Sequence, residues 1–190
     1  FSLQKFKAKI SSSELKKDHQ AAAIKLFEML AIEDIQMAAD VLRPVYDETG
    51  GADGFVSLEV SPHLAHNTQG TITEAMRLRA AVDRLNVMIK VPATLAGIPA
   101  IETLIADGVN VNITLMFSLS HYEAVAQAYI RGLERCSDPH KVSSVASFFV
   151  SRVDTMVDRA LEKNGSAQAK KLFGKIGVAN SKIVYRRFRE

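Results

Sequence analysis

A short β-prone run followed by an amphipathic helix recurs four times in this 190-residue chain. Gly54-Phe55-Val56-Ser57-Leu58-Glu59-Val60 reads as a strand stopped by Ser61-Pro62, because β-branched and aromatic residues suit a pleated surface and proline ends the ladder. Thr71-x-x-Glu74 then offers a capping box for a helix with Ala75, Leu78, Val82 and Leu85 on its apolar face. Val87-Met88-Ile89-Lys90-Val91 is a second strand, ended by Pro92; its helix turns Ile98, Ile101, Leu104 and Ile105 inward and stops at Gly108. Val109 to Phe117 is a third strand, and Ser120-x-x-Glu123 caps a helix with Tyr122, Val125, Ala126, Tyr129 and Leu133 on one stripe. Ser144 to Ser151 is a fourth strand, Val153, Met156, Val157, Ala160 and Leu161 mark its helix, and a final helix runs from Ile176 to Phe188.

Repeated βα units require a parallel sheet. A repeat of about 30 residues is that of a TIM (β/α)8 barrel of roughly 250 residues. A doubly wound sheet has similar spacing but usually carries a glycine-rich phosphate turn after a strand, and this sequence has none. The fold class is therefore α/β, a TIM barrel of which only the middle is present. Residues 1–190 read as one domain, with a helical region at 11–50 before the βα units at 54–190. In the helical region Ser11-Ser12-Ser13-Glu14 offers a capping box, and Ala21 to Leu42 is helix-forming. A break near Glu33-Asp34 can divide it in two, and Pro44 with Gly50-Gly51 closes it.

Composition narrows the function. Apolar residues make up 47% and charged residues 24%, with mean hydropathy +0.03, which suits a folded core and excludes disordered, collagenous and disulfide-stapled classes. Runs such as Val145–Val150 are far shorter than the roughly 20 residues that cross a bilayer, so no membrane association is expected. The net charge of +3 collects at the ends, in Lys5, Lys7 and Lys9 and in Arg186, Arg187 and Arg189. No basic stripe runs through the chain, so no nucleic-acid partner is expected. A single cysteine, Cys136, allows no internal disulfide and suits a reducing, cytoplasmic compartment. Phe1-Ser2-Leu3-Gln4-Lys5 lacks both a signal-peptide pattern and an initiator methionine, as in a processed or cut chain. His63-x-x-His66 has no accompanying cysteine or carboxylate pattern, so no zinc site is expected there.

In parallel α/β folds, chemistry sits at the carboxyl ends of the strands. Strand alternation gives Ser57 and Glu59 one face, Met88 and Lys90 one face, Asn112, Thr114 and Met116 one face, and Ser147 and Phe149 one face. If each polar face points inward, Glu59, Lys90, Asn112 and Thr114 converge, with Arg152 at the mouth. Lys90 interrupts an apolar strand. Burial disfavours its ammonium, and a neutral amine forms Schiff bases with ketones; equally, it can be an edge-strand lysine whose stem reaches water. Glu59 can relay protons, directly or through a water, or serve as a plain counterion to Lys90. Asn112 and Thr114 can bind a sugar or that water, or be satisfied core polars. Arg152 can hold a phosphate bidentately or pair at the surface with Asp154 or Asp158. Cys136 and the remaining histidines suggest no chemistry.

Four segments carry a family resemblance. They are Gly54-Phe-Val-Ser-Leu-Glu-Val-Ser-Pro62, Val87-Met-Ile-Lys-Val-Pro-Ala-Thr94, Gly108-Val-Asn-Val-Asn-Ile-Thr-Leu-Met-Phe-Ser118 and Ser147-Phe-Phe-Val-Ser-Arg-Val-Asp154. With Ala31-Ile-Glu-Asp-Ile35 and Arg43-Pro-Val-Tyr46, they resemble transaldolases of the longer form found in bacteria, across nearly the whole chain and in the same order. The resemblance implies a barrel of the class I aldolase type, matched here over strands three to six, with no metal or organic cofactor. The implied activity is transfer of a dihydroxyacetone unit between sugar phosphates in the pentose phosphate pathway. Implied substrates are fructose 6-phosphate, sedoheptulose 7-phosphate, erythrose 4-phosphate and glyceraldehyde 3-phosphate. It makes Lys90 the Schiff-base lysine and gives Glu59 and Thr114 the catalytic water. It gives Asn112 the bound three-carbon unit, Ser147 and Arg152 the phosphate, and Phe149 a place in the site wall. The family's first-strand aspartate and its Thr-Ser-Asn-Pro-type motif have no match here. A lost acid/base costs roughly 10²–10⁴ in rate, so this chain alone is expected to be nearly inactive. The alternatives are a Schiff-base aldolase without transfer and a non-catalytic half-barrel that binds sugar phosphate.

Overall fold

The computed structural model describes residues 19–190. The Ser11–Glu14 capping box and Lys5, Lys7 and Lys9 lie outside them. In chain order the elements are α1 (His19–Glu48), β1 (Val56–Glu59), a 3-10 turn (Pro62–Leu64), α2 (Thr68–Val82), β2 (Val87–Pro92), α3 (Gly97–Ala106) and β3 (Val111–Met116). They continue with α4 (Leu119–Arg135), a second 3-10 turn (Pro139–Lys141), β4 (Ser144–Phe148), α5 (Ser151–Asn164), α6 (Ala167–Lys170) and α7 (Ile176–Arg189). The strands form one parallel sheet in the order β1-β2-β3-β4. Each strand lies beside its sequence neighbour, the progression of a barrel rather than the reversal of a doubly wound sheet. No helix among the described residues is long and apolar enough to cross a membrane.

Two compact units make up the chain. The first runs to Leu58 and adds Arg77–Met88. Its helix α1 is continuous: there is no break at Glu33-Asp34, and Pro44 lies inside it. Proline lacks the amide hydrogen that the Asp40 carbonyl would receive, a cost of about 3 kcal/mol in a helix interior. Around it, Arg43 Nε donates to Asp47 Oδ1 at 2.8 Å and the Thr49 hydroxyl donates to the Val45 carbonyl at 2.8 Å. Arg77 clamps Glu28 with two bonds of 2.7 and 2.5 Å, and Arg84 clamps Asp40 with 2.6 and 3.0 Å. Each of these arginines holds its carboxyl below the usual carboxylate range, chiefly by side-chain hydrogen bonding. Fully buried Asn86 ties three segments together, its Nδ2 donating to the carbonyls of Ala39 (2.8 Å) and Gly54 (2.9 Å). Gly54 has φ +81°, and a Cβ there would meet the Tyr46 nitrogen at 2.5 Å. Leu85, expected on the apolar face of α2, is 63% exposed. The helix ends at Val82 and Asp83 turns left-handed at φ 49°, so the helical phase is broken before Leu85.

The second unit comprises Glu59–Met76 and Ile89–Glu190. Ile89, Val91 and Val111 of the sheet are buried with Ile101, Leu104 and Ile105 of α3 and Val125 and Ala128 of α4. Truncating such a side chain, Leu104 for example, costs about 2–5 kcal/mol. α3 and α4 approach closely at Gly132, where a Cβ would lie 2.7 Å from the Ile105 Cβ and 2.8 Å from the Glu102 carbonyl oxygen. Two helix starts differ from expectation. Asn67 rather than Thr71 caps α2, accepting from Gly70 N at 2.8 Å; Thr71 is buried and donates to the Leu64 carbonyl at 3.0 Å. Ser118 rather than Ser120 caps α4, accepting from His121 N at 3.2 Å. An extended residue is needed at a cap, and Ser118 has φ −142°. The stripe on α5 is only partly covered: Val153, Val157 and Leu161 are half-buried, while Ala160 is exposed and Met156 is 71% exposed.

Candidate active site

Parallel pairing aligns polar residues from successive strands. Lys90 on β2 pairs with Asn112 on β3, and Asn112 pairs with Val145 on β4. Paired residues point to the same face, so Lys90 and Asn112 are neighbours. On one side Lys90 Nζ lies 3.1 Å from Glu59 Oε2. On the other the Ser147 hydroxyl donates to Asn112 Oδ1 at 2.7 Å. The sequence Glu59, Lys90, Asn112, Ser147 thus forms a continuous polar row. Thr114, which pairs with Pro92, is buried on the same strand as Asn112.

The row is not dry. The Lys90 side chain is 32% exposed and that of Glu59 47%. An ion pair this open contributes at most about 1 kcal/mol to stability. Sequence alternation placed Met116 on the face of Asn112 and Thr114; the structure corrects this. The β3–β4 register runs Ile113↔Ala146 and then Met116↔Phe148. One extra residue stands on β3, and Leu115 occupies it with φ 62°. The bulge turns Met116 to the opposite, buried face.

Beyond the bulge lies an aromatic group. Phe117 and Phe149 stack with centroids 5.3 Å apart, and the Arg152 guanidinium carbon lies 4.4 Å from the centre of the Phe149 ring. Asp154 and Asp158, weighed above as partners of Arg152, instead accept backbone bonds from Gly177 (2.6 Å) and Gly174 (3.1 Å). Among the described residues, no carboxylate pairs with Arg152. In the sequence Phe117 ends the third strand and lies within the Gly108–Ser118 segment; neither feature points to a ring contact with Phe149.

The turn after Lys90 is tied down from several sides. Ala93 N donates to the Thr114 carbonyl at 2.8 Å, and His121 Nε2 bonds the Ala93 carbonyl. Thr94 Oγ1 accepts from Gly97 N at 2.9 Å and donates to the Ala65 carbonyl. Thr94 is the last residue of the Val87–Thr94 segment, while His121 carries no sequence signal of its own. Among the described residues, no group of three or more His, Cys, Asp or Glu side chains is placed to hold a metal ion.

A family model described as Transaldolase/Fructose-6-phosphate aldolase matches residues 3–190. Transaldolase 1 of Streptomyces avermitilis is 52% identical over 166 residues, which are 85% of this chain and 44% of that protein. Transaldolase 2 of Streptomyces coelicolor is 50% identical over 166 residues, covering 85% of this chain and 45% of its own length. The transaldolase of Mycobacterium ulcerans is 49% identical over 162 residues, 83% of this chain and 43% of its own length. The chain spans less than half the length of these curated relatives.

Proposed function

Because the chain belongs to the transaldolase/fructose-6-phosphate aldolase family, we propose that it forms part of a (β/α)8 barrel enzyme moving a dihydroxyacetone unit between sugar phosphates through a Schiff base on Lys90. The observation that carries this is the 3.1 Å contact between Lys90 Nζ and Glu59 Oε2 within the polar row. The ammonium gives a proton to Glu59, directly or through a water that Thr114 helps to hold. The freed amine attacks the ketose C2 carbonyl and forms a carbinolamine. Glu59 returns the proton to the departing hydroxyl, water leaves, and an iminium remains. That cation draws the electrons of the C3–C4 bond; the C4 hydroxyl loses its proton to a base, and the aldehyde phosphate departs. Asn112 holds the enamine, which attacks a second aldehyde phosphate, and hydrolysis of the new iminium frees Lys90. Ser147 and Arg152 take the phosphate, with Phe149 in the wall.

The relatives are more than twice as long as the matched part, so the complete cycle, with the base at C4, is assigned to the whole protein. The same proposal places it in the cytoplasmic pentose phosphate pathway, acting on fructose 6-phosphate, sedoheptulose 7-phosphate, erythrose 4-phosphate and glyceraldehyde 3-phosphate. Incubating the protein that carries this sequence with fructose 6-phosphate and erythrose 4-phosphate tests it. Transfer forms sedoheptulose 7-phosphate and glyceraldehyde 3-phosphate together, and Lys90→Met abolishes both. Free dihydroxyacetone formed without an acceptor indicates cleavage instead, and sugar-phosphate binding with no turnover would support a scaffold.

A further inference from the structure

Leucine enters the left-handed region at a cost, because its Cβ crowds the following carbonyl. Leu115 nevertheless has φ 62° and is the extra residue of the β3 bulge. Side chains alternate along a strand. In an unbroken β3, Phe117 would point away from the face bearing Asn112 and Thr114. The inserted residue reverses that parity, and Phe117 instead lies over Phe149, with ring planes 26° apart. Two backbone ties hold this arrangement: Asn180 Nδ2 donates to the Phe117 carbonyl at 2.8 Å, and Phe149 N donates to the Met116 carbonyl at 3.1 Å. Phe117 is 39% exposed, at the carboxyl edge of the sheet. Its partner ring carries the Arg152 guanidinium. A cation held against an aromatic face keeps its plane fixed while its N–H edge stays open to an anion, and bidentate binding requires that fixed plane.

We infer that Phe117, aimed by the left-handed backbone of Leu115, is a positioning residue for Arg152, setting the guanidinium that receives the anionic end of a phosphorylated sugar. The sugar phosphate at Arg152 rests on the reading above; the seating of Phe117 against Phe149, and of Arg152 on that ring, rests on the geometry. Two titrations separate them in the protein that carries this sequence. The first uses inorganic phosphate, followed by NMR at the Arg152 Nε–H. The second reads the half-saturating concentration of fructose 6-phosphate for borohydride trapping, with phosphate-free dihydroxyacetone as comparison. Phe117→Leu removes the ring, and Leu115→Val disfavours the left-handed backbone; each should weaken phosphate and fructose 6-phosphate by about threefold to tenfold. Dihydroxyacetone trapping should shift far less. Phe117→Tyr keeps the ring and Leu115→Gly keeps the backbone, and both should stay near the parent protein. Phosphate binding unaffected by Phe117→Leu overturns the inference. So does an equal loss for phosphate and dihydroxyacetone, a failure of Phe117→Tyr to rescue, or no phosphate response at Arg152 in the parent. Normal phosphate behaviour with no trapped sugar would sink the Schiff-base reading alone.

Discussion

Asn86→Asp changes one buried atom from donor to acceptor and tests how the first unit is held. Asn86 is fully buried, and its Nδ2 supplies hydrogens to both the Ala39 and Gly54 carbonyls. Its Oδ1 is buried without a partner, so no donor waits to receive a carboxylate. Ionised, the new side chain would face two carbonyl oxygens. It must instead stay protonated, with a native pKa raised above its unfolded value. As a neutral acid it has one hydrogen for two carbonyls, and the orphaned one costs about 1–3 kcal/mol. Since the native state holds the proton, stability falls as pH rises above the unfolded value of about 3.9. The slope is up to about 1.4 kcal/mol per pH unit until the native pKa is reached. The variant should therefore be about 1–3 kcal/mol less stable than the parent near pH 4 and considerably worse at pH 7. Urea denaturation of both proteins across this range reads the difference directly. A pH-independent gap, or one below about 1 kcal/mol throughout, would refute the two-carbonyl account.

Gly132→Ala gains about 1 kcal/mol of helix propensity but places a Cβ 2.7 Å from that of Ile105 and 2.8 Å from the Glu102 carbonyl oxygen. Overpacking costs about 1–3 kcal/mol and backbone cannot yield, so the urea midpoint should fall; an unchanged or raised midpoint would contradict the close helix contact. The parent protein should also lose stability in acid. Arg77 holds Glu28, and Arg131 with Arg135 holds Glu102, below the usual carboxylate range, mainly through hydrogen bonds. These contributions are complete above the unfolded value of about 4.3 and fade as pH drops through the lower native values. Arg77→Met should flatten the acid limb of a stability–pH curve, and an identical limb would count against the clamp.

Several features were legible because local chemistry decides them. Val87–Val91 is apolar enough to be a strand wherever it lies, and Lys90 and Glu59 each sit at the strand position that alternation turns toward a neighbour. The strand order then sets the two side by side, 3.1 Å apart. Leu115 was not legible, since leucine has no preference for positive φ and only the surrounding sheet holds it there. The resulting change of face at Met116 followed from that one residue. Pro44 misled in the opposite sense: its local preference ends helices, yet α1 runs on through it to Glu48. The helix caps shifted by a few residues because Asn67 and Ser118 offer the same side-chain chemistry as Thr71 and Ser120. Where the rings of Phe117 and Phe149 meet depends on the bulge, so neither motif nor period indicated it.

Reduction by borohydride in the presence of fructose 6-phosphate, followed by peptide mass mapping, tests the Schiff base most directly. The account predicts one sugar-derived adduct, on Lys90, lost in Lys90→Met and formed roughly 10²–10⁴ times more slowly in Glu59→Gln. An adduct on any other lysine, or trapping that survives Lys90→Met, would contradict it.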